Sequence, residues 1–382
     1  MRYEKPSTGR ALGCERPRLR GRRVVAACAL ALAGLATTRA GAEVRWLAEG
    51  LANATGHDTE ATFFGRNDGD LVGVGTVRLW AAVEPHPRVQ IVALGKTHGD
   101  TGTDDLESEI EEAFVRIALS TDRKLLLEAG RTGPLLGNFS SRYLPDVNPL
   151  VGAPVSYDTS YPLALQLSGV VSVVDFRLGM VDEPITSERF FEEPDSAARP
   201  ALAVGITPMT GLRLGAYHTE GSYLGRGVAG RLDPGVSWRD LSQRVTGVDF
   251  QFSRGHLEVD ADWSDVAYDL PPAGDRKRGE VWFAESRYTW TPRLFTAVRY
   301  EHSRYVAASW RDTFWLIKEP VVEVAELGAG YRVGPATTLK ASVNAERWTV
   351  SEQARPFYPD GETFALEVVH RFDVRSWFER LR

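Results

Sequence analysis

Beyond residue 42 the chain is a succession of segments of about ten residues in which apolar and polar side chains alternate, a period that restricts it to half-buried β-strands. Val77, Leu79, Ala81 and Val83 alternate with Arg78, Trp80, Ala82 and Glu84. Leu257, Val259, Ala261 and Trp263 do so with Glu258, Asp260, Asp262 and Ser264, and Leu339, Ala341, Val343 and Ala345 with Lys340, Ser342, Asn344 and Glu346. No long segment carries an apolar stripe at the helical period. The connections alternate as well. Short turns are expected at 84–87, 120–123, 168–169, 208–211, 254–255, 291–292 and 334–336. Long polar loops are expected at 56–72, 98–107, 132–160, 183–198, 221–242, 267–278, 306–319 and 349–362. Seven turns and eight loops imply about sixteen strands, an even number that leaves both ends on the short-turn side.

Composition narrows the fold class. With 25% charged residues and a mean hydropathy of −0.24, no stretch after residue 42 approaches the roughly 20 apolar residues of a spanning helix. A helical membrane protein is excluded, whereas a strand-built one is not. Residues 1–42 hold nine Lys and Arg against two acids, so the net charge of −6 becomes −13 without them. A chain that acidic is a poor nucleic-acid binder. Cys14 and Cys28 both lie in this segment, so the remainder has no thiol chemistry. Arg16, Arg18, Arg20, Arg22 and Arg23, the apolar run 24–36 and Ala40-Gly41-Ala42 together read as a signal peptide over 1–42, cleaved before Glu43. Val25-Ala26-Ala27-Cys28 resembles a lipoprotein box, but four apolar residues after Arg23 are too few for the hydrophobic region. The Arg22-Arg23 pair lacks the flanks of a twin-arginine signal.

Alternating turn and loop lengths point to an all-β, transmembrane, antiparallel up-and-down barrel over 43–373, with short periplasmic turns, long extracellular loops and a periplasmic tail at 374–382. Tyr288, Trp290, Tyr331 and Phe372 near short turns, and Trp263 and Tyr300 near long loops, match two interfacial belts; singly, each fits a soluble core better than a belt. By parity the interior carries charges of both signs, among them Arg78, Glu112, Arg116, Arg213, Arg287, Arg299 and Glu301 as wall residues. Charges of this kind need water or partners, so a dry interior is not expected.

The alternation over 43–373, segments such as 281–300 with Thr291-Pro292-Arg293 at the turn, and the closing strand with Phe364, Leu366, Val368 and Phe372 resemble the Gram-negative outer-membrane porins. His370 and the tail after Phe372 depart from that family's terminal pattern. The resemblance implies a water-filled channel for passive diffusion of small hydrophilic solutes. It also implies a third loop folded into the barrel, here 132–160, in which Leu135, Leu136, Phe139, Tyr143, Leu144, Leu150 and Val151 need burial. Packing of that loop on a neighbouring subunit or over the mouth is the alternative. Arg131, Arg142, Asp146 and Asp158 are the expected constriction charges, the acids facing Arg78 and Arg299 to set up a transverse field. Outer-membrane lipid and lipopolysaccharide are the expected surroundings, and the resemblance allows a homotrimer. The seven histidines lack ligand spacing, so no metal or cofactor is expected. No catalytic Ser, His and acid set can be assembled, so no enzyme is expected. A barrel that sheathes a protein partner and an outer-membrane hydrolase stand as rival functions.

Overall fold

The computed structural model describes residues 45–59, 72–101, 106–133, 136–137, 144–154, 161–182, 198–271, 275–304, 306–311, 314–352, 355 and 360–374. The expected signal segment lies outside these residues, as does the tail after Val374. The strands are β1 Arg45–Thr59, β2 Val72–His86, β3 Val89–Asp100, β4 Leu106–Ala118, β5 Leu125–Arg131, β6 Leu163–Val171, β7 Val174–Val181, β8 Arg199–Met209 and β9 Leu212–Ser222. They continue with β10 Ser242–Arg254, β11 Leu257–Leu270, β12 Asp275–Thr289, β13 Leu294–Arg304, β14 Ala307–Arg311, β15 Phe314–Lys318, β16 Val321–Arg332, β17 Thr337–Thr349 and β18 Gly361–Asp373. Sixteen of them close into one antiparallel barrel, each beside its chain neighbour, with β18 returning to β1. The remaining two, β14 and β15, pair with each other inside the connection from β13 to β16.

Polarity is inverted relative to a soluble core. Along β16, Val322, Val324 and Glu326 are buried inward while Leu327 on the outer face is 62% exposed. On β18, Phe364, Leu366 and Val368 lie outside and Ala365, Glu367 and Val369 inside. A strand sends successive side chains to opposite faces, so one strict alternation produces both the apolar outer wall and the polar inner one.

Local chemistry sets the turns. At the β4–β5 turn the Ser120 hydroxyl donates to Asp122 at 2.7 Å, and the Lys124 backbone N–H donates to the same carboxylate at 3.3 Å. These bonds hold the Asp122 carboxyl below its ordinary range. Gly211 closes β8–β9 at φ 84°, a conformation a side chain would oppose, and a Cβ there would strike the Ser253 carbonyl.

Three expectations are corrected. The β6–β7 hairpin turns at Ser172-Val173, not at 168–169, because Gly169 continues the ladder beneath the Phe176 ring and Ser172 takes up the positive φ of 56°. The loop expected at 267–278 shrinks to 271–274, since β11 and β12 stay paired as far as Leu270 and Asp275. The connection at 306–319 contains the β14–β15 ladder, which raises the total to eighteen strands without changing the barrel.

Candidate functional site

The interior is organised around the β5–β6 connection. Its described part, 144–154, lies against inward side chains of β13, β16, β17 and β18. Arg299 of β13 donates through Nη2 to the Asn148 side chain at 3.0 Å and through Nη1 to the Gly152 carbonyl at 3.3 Å. Lys340 of β17 donates to the carbonyls of Pro145, Asn148 and Leu150 at 2.9, 3.2 and 3.0 Å. Arg371 of β18 bridges Asp146 at 3.2 Å and Glu49 of β1 at 2.7 Å. Leu150 and Val151 are fully buried, and Leu150 fits over Gly328 of β16, where a Cβ would come within 2.6 Å of its side chain. The other described piece, Gly137, faces Asp262 and Tyr217 on β11 and β9. The loop therefore crosses the barrel from β5 to its far side.

A second segment also enters. Residues 223–241, between β9 and β10, contain two short 3-10 helices, Arg226–Arg231 and Trp238–Asp240. Tyr223, Leu224, Val228 and Leu241 pack on Ala201, Ala203, Tyr217, Val245, Val266 and Tyr268, the inward face of β8–β11 toward the long-loop end. Tyr223 donates its hydroxyl to the Asp269 carbonyl at 3.0 Å, and burial pushes its phenol pKa up, so it stays protonated. Val228→Asp would bury a carboxylate with no partner in this cluster. Limited trypsin digestion should then cut at Arg226 and Arg231 in the variant while sparing the parent.

The wall charges are paired across strands. Arg116 meets Glu128 at 2.5 Å and gives a further bond to Gln90 at 2.9 Å, and Gln166 donates to the same Glu128. Arg213 grips Asp175 with two bonds of 2.9 and 2.7 Å and also contacts Asp249. Arg287 pairs with Glu258 at 2.5 Å. Arg299 bonds Glu285 at 2.7 Å and Glu326 at 3.2 Å, with Glu301 at 3.9 Å, all four residues at most 2% exposed.

Arg78 pairs with Glu111, at 2.9 Å. The β3–β4 register slips between Leu94 and Gly95, so Glu111 is an extra residue that turns inward. The adjacent acids Glu111-Glu112 in an otherwise alternating strand were the sequence signal for that bulge. Parity could also have found Arg199, which is buried and bonded to Thr219 at 3.0 Å and twice to Gln243 at 3.0 and 2.7 Å.

Two further expectations change. Arg131, the last residue of β5, donates to the Tyr161 carbonyl at 2.9 Å, tying the feet of the loop together instead of joining Asp146 at the far wall. Asp146 pairs with Arg371, while Arg78 and Arg299 are bonded to their own neighbours, so Asp146 does not face those two arginines as expected. Arg142 and Asp158 lie outside the described residues. At mid-height Leu51, Arg78, Leu94, Gln166, Asp249 and Glu285 are all buried against their neighbours. Cross-strand pairing compensates most of these charges.

A closed sixteen-strand antiparallel barrel, with short turns at one end, long loops at the other and a charged interior, is an outer-membrane β-barrel fold. No family model matches the chain, and no curated protein matches it in sequence. Among solved structures it is similar to OmpT, an outer membrane protein of Vibrio cholerae folded in vitro, with a TM-score of 0.55 and 8% identity over 88% of this chain and 100% of that one. It is likewise similar to a loop L8 deletion mutant of OmpT, with a TM-score of 0.57 and 8% identity over 86% of this chain and 99% of that one. At such identity the likeness carries the fold.

Proposed function

We propose that the chain is a porin-type channel of the Gram-negative outer membrane, passing small hydrophilic solutes by diffusion through a lumen narrowed by the β5–β6 loop. The observation that carries this reading is the loop held across the interior by Arg299 and Lys340, among walls of paired charge. A barrel built to sheathe a protein would need a wide lumen, and burial of the inner wall at mid-height argues against one. The same burial makes the pore narrow, so ions and the smallest solutes pass most readily. Single-channel recording of the purified protein in a planar bilayer tests the reading. Small, steady conductance steps are expected. A bilayer that stays silent, or a purified protein that hydrolyses peptides or lipids instead, would overturn it.

Membrane insertion has its own test. Leu327→Arg places a charge on the outer face near the middle of β16, at an expected cost of about 2–4 kcal/mol in a bilayer. Folding yield into lipid vesicles, read from the mobility difference between unheated and boiled samples on a gel, should drop for this variant. Equal yields would mean that the apolar wall does not face lipid.

A further inference from the structure

Three arginines are buried among the described residues, and two of them meet carboxylates: Arg78 pairs with Glu111, and Arg299 with Glu285 and Glu326. The third, Arg199 at the start of β8, is 1% exposed and meets none among the described residues. Its guanidinium donates to neutral oxygens only, the Thr219 hydroxyl at 3.0 Å and the side-chain and backbone oxygens of Gln243 at 3.0 and 2.7 Å. A guanidinium carries five N–H donors, so these three bonds leave two unused. Glu220, next to Thr219 in the chain, has the opposite parity and binds Arg244 instead. The position is nonetheless built for this side chain: Gly221 of β9 stands beside it, where a Cβ would come within 2.5 Å of the Arg199 Cβ. A buried charge without a counter-charge is costly, and neutral acceptors offset only part of that cost.

The cover over this charge is the segment 223–241. Val181, opposite Arg199 on β7, and Tyr268, opposite Gln243 on β11, belong to the apolar cluster that Tyr223, Leu224, Val228 and Leu241 complete. Tyr223 meets Tyr268 edge to face, with ring centres 5.5 Å apart. The segment belongs to neither sheet, and the backbone bonds within it span single turns, from Val228 to Gly225, Val236 to Asp233 and Asp240 to Ser237. Side-chain packing, not a ladder, therefore holds it on the wall. A unit held in this way can open locally while the barrel stays folded.

We infer that Arg199 is the receptor for an oxyanion, a carboxylate or phosphate group, which binds when 223–241 lifts from the wall and keeps the segment raised. The oxyanion supplies what the closed form lacks, a counter-charge and oxygens for the two unused N–H groups, and guanidinium pairs well with both kinds of group. A ligand that binds only the raised form shifts the population toward it. Raising the segment uncovers the inner face of β8–β11 at the long-loop end, so passage through that end depends on the anion. The inference rests on the channel reading for this role, but its test does not.

Trypsin reports the raised form, because Arg226 and Arg231 lie in the segment. The full chain, folded in mild detergent, is digested in sodium chloride, sodium phosphate or sodium acetate at one pH and one ionic strength, with trypsin activity matched on a small peptide substrate. Cutting at Arg226 or Arg231, read by mass, is expected to be several-fold faster in phosphate or acetate than in chloride, and the salt that acts identifies the group recognised. Arg199→Gln should abolish the difference. Equal cutting of the parent in all three salts would overturn the inference, as would a folded Arg199→Gln variant that keeps the parent's response. Should Arg199→Gln fail to fold, Arg199→Lys gives the decision instead. It keeps the charge without the planar guanidinium, so its half-maximal anion concentration should rise several-fold, and an unchanged value refutes the site. Channel conductance of the parent is recorded separately, so a silent bilayer sinks the channel reading and leaves the digestion result standing.

Discussion

Replacing Arg299 with Met is expected to produce the largest loss of stability of any single change in the barrel wall. Arg299 is fully buried and is bonded at once to Glu285, Glu326, Asn148 and the Gly152 carbonyl. Removing one partner of such a buried set leaves uncompensated carboxylates and typically costs about 3–5 kcal/mol. The temperature at which the folded gel band disappears should fall by several degrees, and the effect should reach the loop, which loses two of its anchors. Glu285→Gln/Glu326→Gln in the same background should restore part of the loss, because neutral amides tolerate burial better than orphaned carboxylates. No shift in Arg299→Met, or no recovery in the triple variant, would show that the cluster does not hold the wall and loop together.

The largest functional change is expected from freeing the loop while leaving the wall intact. Deleting 146–151 removes Asp146, Asn148 and Leu150, the residues that meet Arg371, Arg299, Gly328 and Lys340. Single-channel conductance should rise about two-fold or more if resistance is concentrated where the loop crosses the lumen. Reversal potentials in a salt gradient should shift as well, because the deletion releases the Arg371 guanidinium from Asp146 and the Lys340 ammonium from two of its three carbonyl partners. Lys340→Met is a milder form of the same change, lowering the energy that holds the apex without shortening the chain. Unchanged conductance in both variants would place the resistance elsewhere, with the segment 223–241 the next element to remove.

The barrel was legible in the sequence because a strand that separates two solvents must alternate strictly. Leu366 and Glu367 announce their faces without knowledge of any neighbour. The barrel's count of sixteen strands also followed, since turn and loop lengths are local properties. Features that depend on pairing were less legible. The Glu111 bulge is defined by its register against β3, and the pairing of β14 with β15 shows only when both are set side by side. The true position of the β6–β7 turn needed the Phe176 ring over Gly169. For the interior, parity identified which charges point inward, including Arg299 and Glu301, but not which would find partners. A single chain read in order cannot show that Asp146 meets Arg371, 225 residues away. The inward course of 223–241 was missed for a related reason: a loop with Gly, Arg and Asp reads as solvated, and its burial comes from small wall residues such as Ala201 and Ala203 that make room for it.

The seam between β1 and β18 joins the two ends of the barrel's sequence. Asn53 hydrogen-bonds Glu367 across 314 residues, and the Phe372 ring lies over Gly50. Every other barrel neighbour can pair as the chain is laid down, strand after strand, but this one waits for the last strand. Until then the sheet is an open strip with a bare edge on each side, each able to template a wrong partner. Long-range pairing of this kind is slow because the chain must curl fully before the contact returns any energy. Folding therefore has a distinct final event, the capture of the first strand by the last, and a helper that held those two edges apart from other chains would act at the step where the chain is most exposed to aggregation.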